Sequence, residues 1–202
     1  MKNEDTVLTV DDFNPSNTIF FSVDINNGFC KEGALFSERT KKLIPQTAKL
    51  LKNVLDKKFS VVAFTDEHPG NSPEFKGYPV HCLKDTAESV LVDELDFLYS
   101  HENAVVIPKN STNGFFLLSD EFLGEKYDNY IITGCCTDIC VHQLSVSLKT
   151  WFNQNNIDKR VIVVKSLVDT FDLPGHSADE YNSIFLGSMA SNGVEVVDDI
   201  EL

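Results

Sequence analysis

The chain has 202 residues, 42% of them hydrophobic, which is enough for one domain with a real core and excludes wholesale disorder. Its 31 acidic and 17 basic residues leave a formal charge of −14, which argues against a phosphate backbone or an anionic membrane surface as partner. No apolar run approaches a membrane span, and the opening Met1–Asp5 lacks a basic-then-apolar leader, so a cytoplasmic protein is expected. Five cysteines, three of them crowded at 135, 136 and 140, do not suit a disulfide framework and are read as free thiols.

Residues 1–16 are expected to be an irregular N-terminal extension of a single domain spanning 1–202. Short β-branched and aromatic runs then recur at Thr18–Val23, Ser60–Thr65, Ala104–Pro108, Asn129–Thr133, Arg160–Val164 and Val194–Val197. Several are apolar on successive residues, as strands buried on both faces should be. Between them lie helix-period segments. Leu43, Ile44, Thr47, Leu50, Leu51, Val54 and Leu55 share one face, and Val141, Leu144, Leu148 and Phe152 share another. Tyr181, Ile184, Phe185 and Met189 form a third, opened by Ser177 with Glu180 three residues on and closed by Asn192-Gly193. Strand–helix alternation predicts a three-layer α/β fold, a six-stranded, mainly parallel sheet with helices on both faces. The stretch from His68 to about Leu98 is longer and more irregular than a crossover needs, a mark of a functional loop.

Ligands of open parallel sheets bind beyond the carboxyl ends of the strands. There the first strand delivers Asp24, the second Asp66 and His68, the third Lys109, and the fourth Cys135, Cys136 and Cys140. Thr137 or Asp138 is placed to cap the following helix, with Cys140 in its first turn. Orphan N–H groups and a neighbouring Lys109 would there favour the thiolate, the nucleophilic form. A free cysteine is otherwise usually a small buried hydrophobe; what sets Cys140 apart is the carboxylate and lysine at the same edge. Asp24 could take the thiol proton and return it to a leaving amine, and Lys109 could orient both anions. Asp66, His68 and His81, with Glu74 between the histidines, offer a donor set that suits zinc, iron or manganese; surface loop polarity is the plain alternative. No CxxC pair is present, so a zinc knuckle is not expected. His101, His142 and His176 show no such clustering and are read as structural or solvent-facing.

These residues resemble the isochorismatase-like cysteine hydrolases, a Rossmann-like fold, and within them the nicotinamidase/pyrazinamidase group. Val23-Asp24-Ile25-Asn26-Asn27-Gly28-Phe29-Cys30 is similar to the opening VDxQNDF-type motif. Thr65-Asp66-Glu67-His68-Pro69 and Tyr78-Pro79-Val80-His81-Cys82 are similar to the two metal motifs, and Gly134 to Val141 to the nucleophile motif. The resemblance implies Cys140 as nucleophile, Asp24 as general base and then acid, and Lys109 as its partner. It implies an oxyanion hole from the Cys136 and Cys140 N–H groups across a cis Cys135–Cys136 peptide, and Phe29 and Tyr78 as walls around an aromatic ring. Asp66, His68, Glu74 and His81 would hold one divalent metal ion, zinc first, with iron or manganese as alternatives. The implied activity is hydrolysis of nicotinamide to nicotinate and ammonia through a thioester, a step of NAD salvage. The expected partner is a small nicotinamide-like amide, with a homo-oligomer left open and neither nucleic acid nor membrane involved. The chain departs from the pattern at Gly28, where many members carry Asp, at Asn26, at Tyr78 in place of Trp, and over Asp85-Thr86-Ala87-Glu88. Two other readings stand beside this one: a hydrolase of another small or N-carbamoyl amide, and a non-catalytic metal- or redox-responsive protein using Cys135, Cys136 and Cys140.

Overall fold

A computed structural model describes residues 6–202. In chain order the elements are β1 (Val7–Thr9), β2 (Thr18–Val23), α1 (Asn27–Cys30), α2 (Glu38–Lys41), α3 (Ile44–Asp56), β3 (Ser60–Asp66), β4 (Ala104–Lys109), α4 (Asp120–Leu123) and β5 (Asn129–Cys135). A π-helical turn, Thr137–Val141, leads into α5 (His142–Gln154), followed by β6 (Arg160–Asp169), α6 (Ala178–Ser191), β7 (Glu195–Val197) and β8 (Asp199–Glu201).

Six strands form one wholly parallel sheet in the order β4-β3-β2-β5-β6-β7. Every residue of β2 is buried, which is why its sequence runs apolar without alternation. Its side chains still divide between two cores. Phe20, with Ile131 and Ile162, faces the core that includes Leu51, Val54 and Leu55 of α3. Phe21, with Ile132 and Val163, faces the core that includes Leu144 and Leu148 of α5 and Met189 of α6. The chain leaves β2 toward β3 and β4 on one side, then returns to its other side through β5. That reversal makes the carboxyl edge around β2 the crevice where ligands are expected in such sheets.

The helix boundaries follow local chemistry. The Ser177 hydroxyl accepts from the Glu180 N–H at the start of α6, and Gly193 takes the left-handed φ of +87° just beyond its end. The irregular stretch between β3 and β4 contains only short 3₁₀ turns, at Pro73–Lys76, Ala87–Ser89 and Asp93–Tyr99. Among the described residues no helix is long and apolar enough to cross a membrane.

The expectation of an irregular segment over 1–16 is corrected for part of its length. Val7–Thr9 pairs in parallel with Asp199–Glu201 as a two-stranded sheet, and Val10 and Phe13 are buried. The partner strand lies at the opposite end of the chain, so no local pattern announces the pairing. Residues 1–5 of that segment lie outside the described residues.

Candidate active site and metal centre

Four parallel strands end side by side, and their last residues meet. Asp24 follows β2 with a left-handed φ of +54°, while its N–H donates to the Phe64 carbonyl at 3.1 Å. Gly134, near the end of β5, has φ +117°, and a Cβ there would lie 2.1 Å from the Val23 carbonyl oxygen. Only glycine allows β5 to press this closely on the end of β2. Lys109, 1% exposed, closes the group: its Nζ lies 2.6 Å from Asp66 Oδ1, 2.9 Å from Asp24 Oδ2 and 3.8 Å from Cys140 Sγ. The contact with Asp24 is an ion pair outside hydrogen-bonding angles, and neither Asp24 oxygen has a hydrogen-bond partner among the described residues.

Burial pushes the Asp24 carboxyl up to about 6, against the pull of Lys109, and the charge of Asp66 adds to the rise. Burial acts on Asp66 in the same direction, but Lys109, His68 and His81 outweigh it and hold this carboxyl below the usual carboxylate range. Burial opposes the charge of Lys109, which Asp24, Cys140 and Asp66 nevertheless hold firmly protonated.

The nucleophile segment corrects two expectations. Neither Thr137 nor Asp138 caps a helix: the turn starts at Cys136 without a side-chain cap, and the Val141 N–H reaches back five residues to the Cys136 carbonyl at 3.2 Å. Asp138 instead accepts from the Thr170 hydroxyl and faces His176 Nε2 at 2.8 Å. The surroundings of the thiol also act, on balance, against the thiolate. Burial pushes Cys140 well above the ordinary thiol value; Lys109 pulls it back, but Asp24 and Asp66 add to the rise. Lysine 109 has its charge shared among two carboxylates as well as the sulfur. The Cys135–Cys136 peptide is cis, and Cys136 and Cys140 both line the cavity.

The predicted ligand group comes together on the other side of Lys109. Donor atoms of Asp66, His68, Glu74 and His81 all lie within 4.8 Å of one another. His68 Nε2 is 2.8 Å from Asp66 Oδ2 and 3.2 Å from Glu74 Oε2, and His81 Nε2 is 3.1 Å from Asp66 Oδ2. The Nδ1 atoms are engaged elsewhere, His68 with Asn110 Oδ1 and His81 with the Pro79 carbonyl, both at 2.8 Å. An Nδ1–H donating to these oxygens leaves each Nε2 lone pair facing inward, the tautomer a metal requires. Glu74 Oε1 accepts from the Thr112 N–H at 3.2 Å, whereas Oε2 is buried without a hydrogen-bond partner among the described residues. Burial opposes a proton on His68, yet Asp66, Asn110 and Glu74 together raise its proton affinity. Two imidazoles, two carboxylates and one orphaned oxygen suit a divalent cation.

Phe29 and Tyr78 line the same cavity, of about 530 Å³, with ring centroids 5.8 and 6.1 Å from that of His81. Phe75, which sequence reasoning missed, packs against both histidines at 5.4 and 5.8 Å. Asn110 and Thr112 were missed as well, although Asn110 directly follows Lys109 at the same sheet edge. The departures at 26–28 and 85–88 meet in space. A Cβ on Gly28 would lie 2.5 Å from Cys82 Sγ; the Asn26 amide donates to that sulfur and to the Glu88 carbonyl. The Glu88 carboxylate accepts from the Cys82 N–H at 2.9 Å, fixing the residue beside His81.

Residues 18–199 match the isochorismatase domain family. Over 175 residues the chain is 34% identical to Nicotinamidase 1 of Arabidopsis thaliana, covering 78% of this chain and 71% of that protein. Among solved structures, the pyrazinamidase/nicotinamidase of Streptococcus mutans superposes with a TM-score of 0.77 at 20% identity, covering 90% of this chain and 100% of that one. The pyrazinamidase of Pyrococcus horikoshii in complex with zinc superposes with a TM-score of 0.70 at 24% identity, covering 90% and 99%.

Proposed function

The chain belongs to the isochorismatase domain family, and on that premise we propose that it hydrolyses nicotinamide to nicotinate and ammonia through a thioester on Cys140. The observation that carries the reading is that the Asp24–Lys109–Cys140 group and a four-donor ligand cluster share Lys109 and open into one aromatic-walled cavity. The identity to a nicotinamidase supports nicotinamide over other amides.

Asp66, His68, Glu74 and His81 would hold one divalent ion, with zinc favoured by the donor set and by the zinc-bound pyrazinamidase relative. When bound, the ion supplies a Lewis-acidic anchor for the ring nitrogen of the substrate. Phe29 and Tyr78 flank the ring, which sets the carboxamide carbon against Cys140. Asp24, a base of suitable strength, takes the Cys140 proton as sulfur attacks. The Cys136 and Cys140 N–H groups receive the developing oxyanion, and Lys109 offsets the negative charge gathering between the carboxylates and sulfur. Asp24 returns the proton to the departing ammonia, then accepts one from the water that cleaves the thioester, releasing nicotinate and restoring the thiol.

The test is release of ammonia and nicotinate by zinc-loaded protein, with a chelated sample and an N-carbamoyl amine in parallel. Chelator-sensitive release from nicotinamide is expected. Release from the N-carbamoyl amine alone would redirect the assignment to that amide, and no release from either by zinc-saturated protein would overturn it.

A further inference from the structure

A single-ring carboxamide held between Phe29 and Tyr78 occupies only the inner part of the 530 Å³ cavity. The lining contributed by other segments carries five apolar side chains, Leu35 and Phe36 between α1 and α2, Ile139 of the π-helical turn, and Phe171 and Leu173 between β6 and α6, and the exposure of Leu173 places this compartment on the outer, solvent side. Leu173 is 60% exposed and lines the cavity together with Cys136 and Cys140.

This wall is held in place. The Phe171 ring lies flat on His176, with centroids 3.9 Å apart and planes 12° from parallel, and Tyr181 of α6 meets the same imidazole with centroids 3.7 Å apart. His176 Nδ1 donates to the Phe171 carbonyl at 3.0 Å, and its Nε2 meets Asp138, two residues before Cys140. The outer wall is thereby tied to the nucleophile turn. The charges at the rim point to the chemistry of the occupant. Arg39, the one cation lining the cavity among the described residues, is already matched by Asp169 at 3.0 Å and Asp179 at 2.8 Å. Glu38 and Asp172 add negative charge at the same rim. Among the described residues no unmatched positive charge awaits an anionic substituent there.

We propose that this outer compartment is a second subsite for a neutral apolar substituent on the substrate ring. The preferred substrates are then alkyl- or aryl-substituted heteroaryl carboxamides rather than the bare ring or an anionic derivative. The inference rests on the amide hydrolysis proposed above and extends it to a substrate class. No new bond chemistry is involved, since amide and water still give carboxylate and ammonia.

The test compares zinc-loaded enzyme on nicotinamide and on its 5- and 6-substituted pentyl, phenyl and carboxylate derivatives. At least one apolar derivative is expected to exceed nicotinamide in kcat/KM by about tenfold, mostly through KM, and the carboxylates are expected to fall below it. Phe36→Ser and Leu173→Ser, singly and together, should bring the ratio of apolar derivative to parent back toward one. Calorimetric binding of the same compounds to zinc-loaded Cys140→Ala separates the two ideas. Tighter binding of an apolar derivative without turnover by the wild type would remove the proposed reaction and leave the subsite. Equal or weaker binding of all apolar derivatives would overturn the subsite, even where nicotinamide is hydrolysed.

Discussion

Asp24 and Asp66 stand on either side of the same lysine, both buried, and are driven in opposite directions. Burial wins at Asp24, whose carboxyl rises to about 6, while Lys109 and two histidines win at Asp66, which stays ionised. Two carboxyls whose surroundings separate them this way are suited to different work. The one facing the thiol can accept and return a proton near neutral pH; the other is a permanent anion among imidazoles, fitted to hold a cation. Lys109 joins the two halves, so a substitution can disturb both through the shared residue or either one alone.

Substitution of the shared lysine should have the largest effect. Lys109→Ala leaves two buried carboxylates facing each other. Turnover should fall by at least about 10⁴-fold, with a loss of about 3–5 kcal/mol of stability in thermal or denaturant unfolding. Asp24→Asn touches only the nucleophile half: ammonia release should drop by about 10³-fold while zinc, measured by atomic absorption, stays bound. Asn110→Ala touches only the ligand half, through His68 Nδ1. Zinc affinity should fall about 10–100-fold in a competitive chelator titration, and saturating zinc should restore turnover. The mildest perturbation is pH. Because Asp24 must be ionised to accept the thiol proton, kcat/KM should decline about tenfold per unit below about pH 6 and level off above it. The residual rate of Asp24→Asn should lack that acid limb.

Much of this was legible in the sequence because parallel strands display their chemistry at fixed addresses. The ends of four apolar runs named Asp24, Asp66, His68, Lys109 and Cys140, and the structure brings them to one crevice. Ser177 and Gly193 marked the ends of α6 through local backbone chemistry that needs no tertiary context. What stayed hidden depends on distance along the chain or on surroundings. The pairing of Val7–Thr9 with Asp199–Glu201, and of Asp138 with His176, joins segments that carry no shared local pattern. The π-helical register at Thr137–Val141 leaves the apolar spacing of α5 intact, so periodicity cannot reveal it. The upward push on the Cys140 thiol comes from burial and two nearby carboxylates, neither of which local spacing at a helix start can weigh.

The division of labour is tested most directly by zinc content and ammonia release measured on one preparation of Cys140→Ala. Full zinc occupancy with no detectable ammonia from nicotinamide is the predicted result, because the four metal donors do not include the thiol. Continued turnover, or loss of zinc together with activity in a folded protein, would contradict the account.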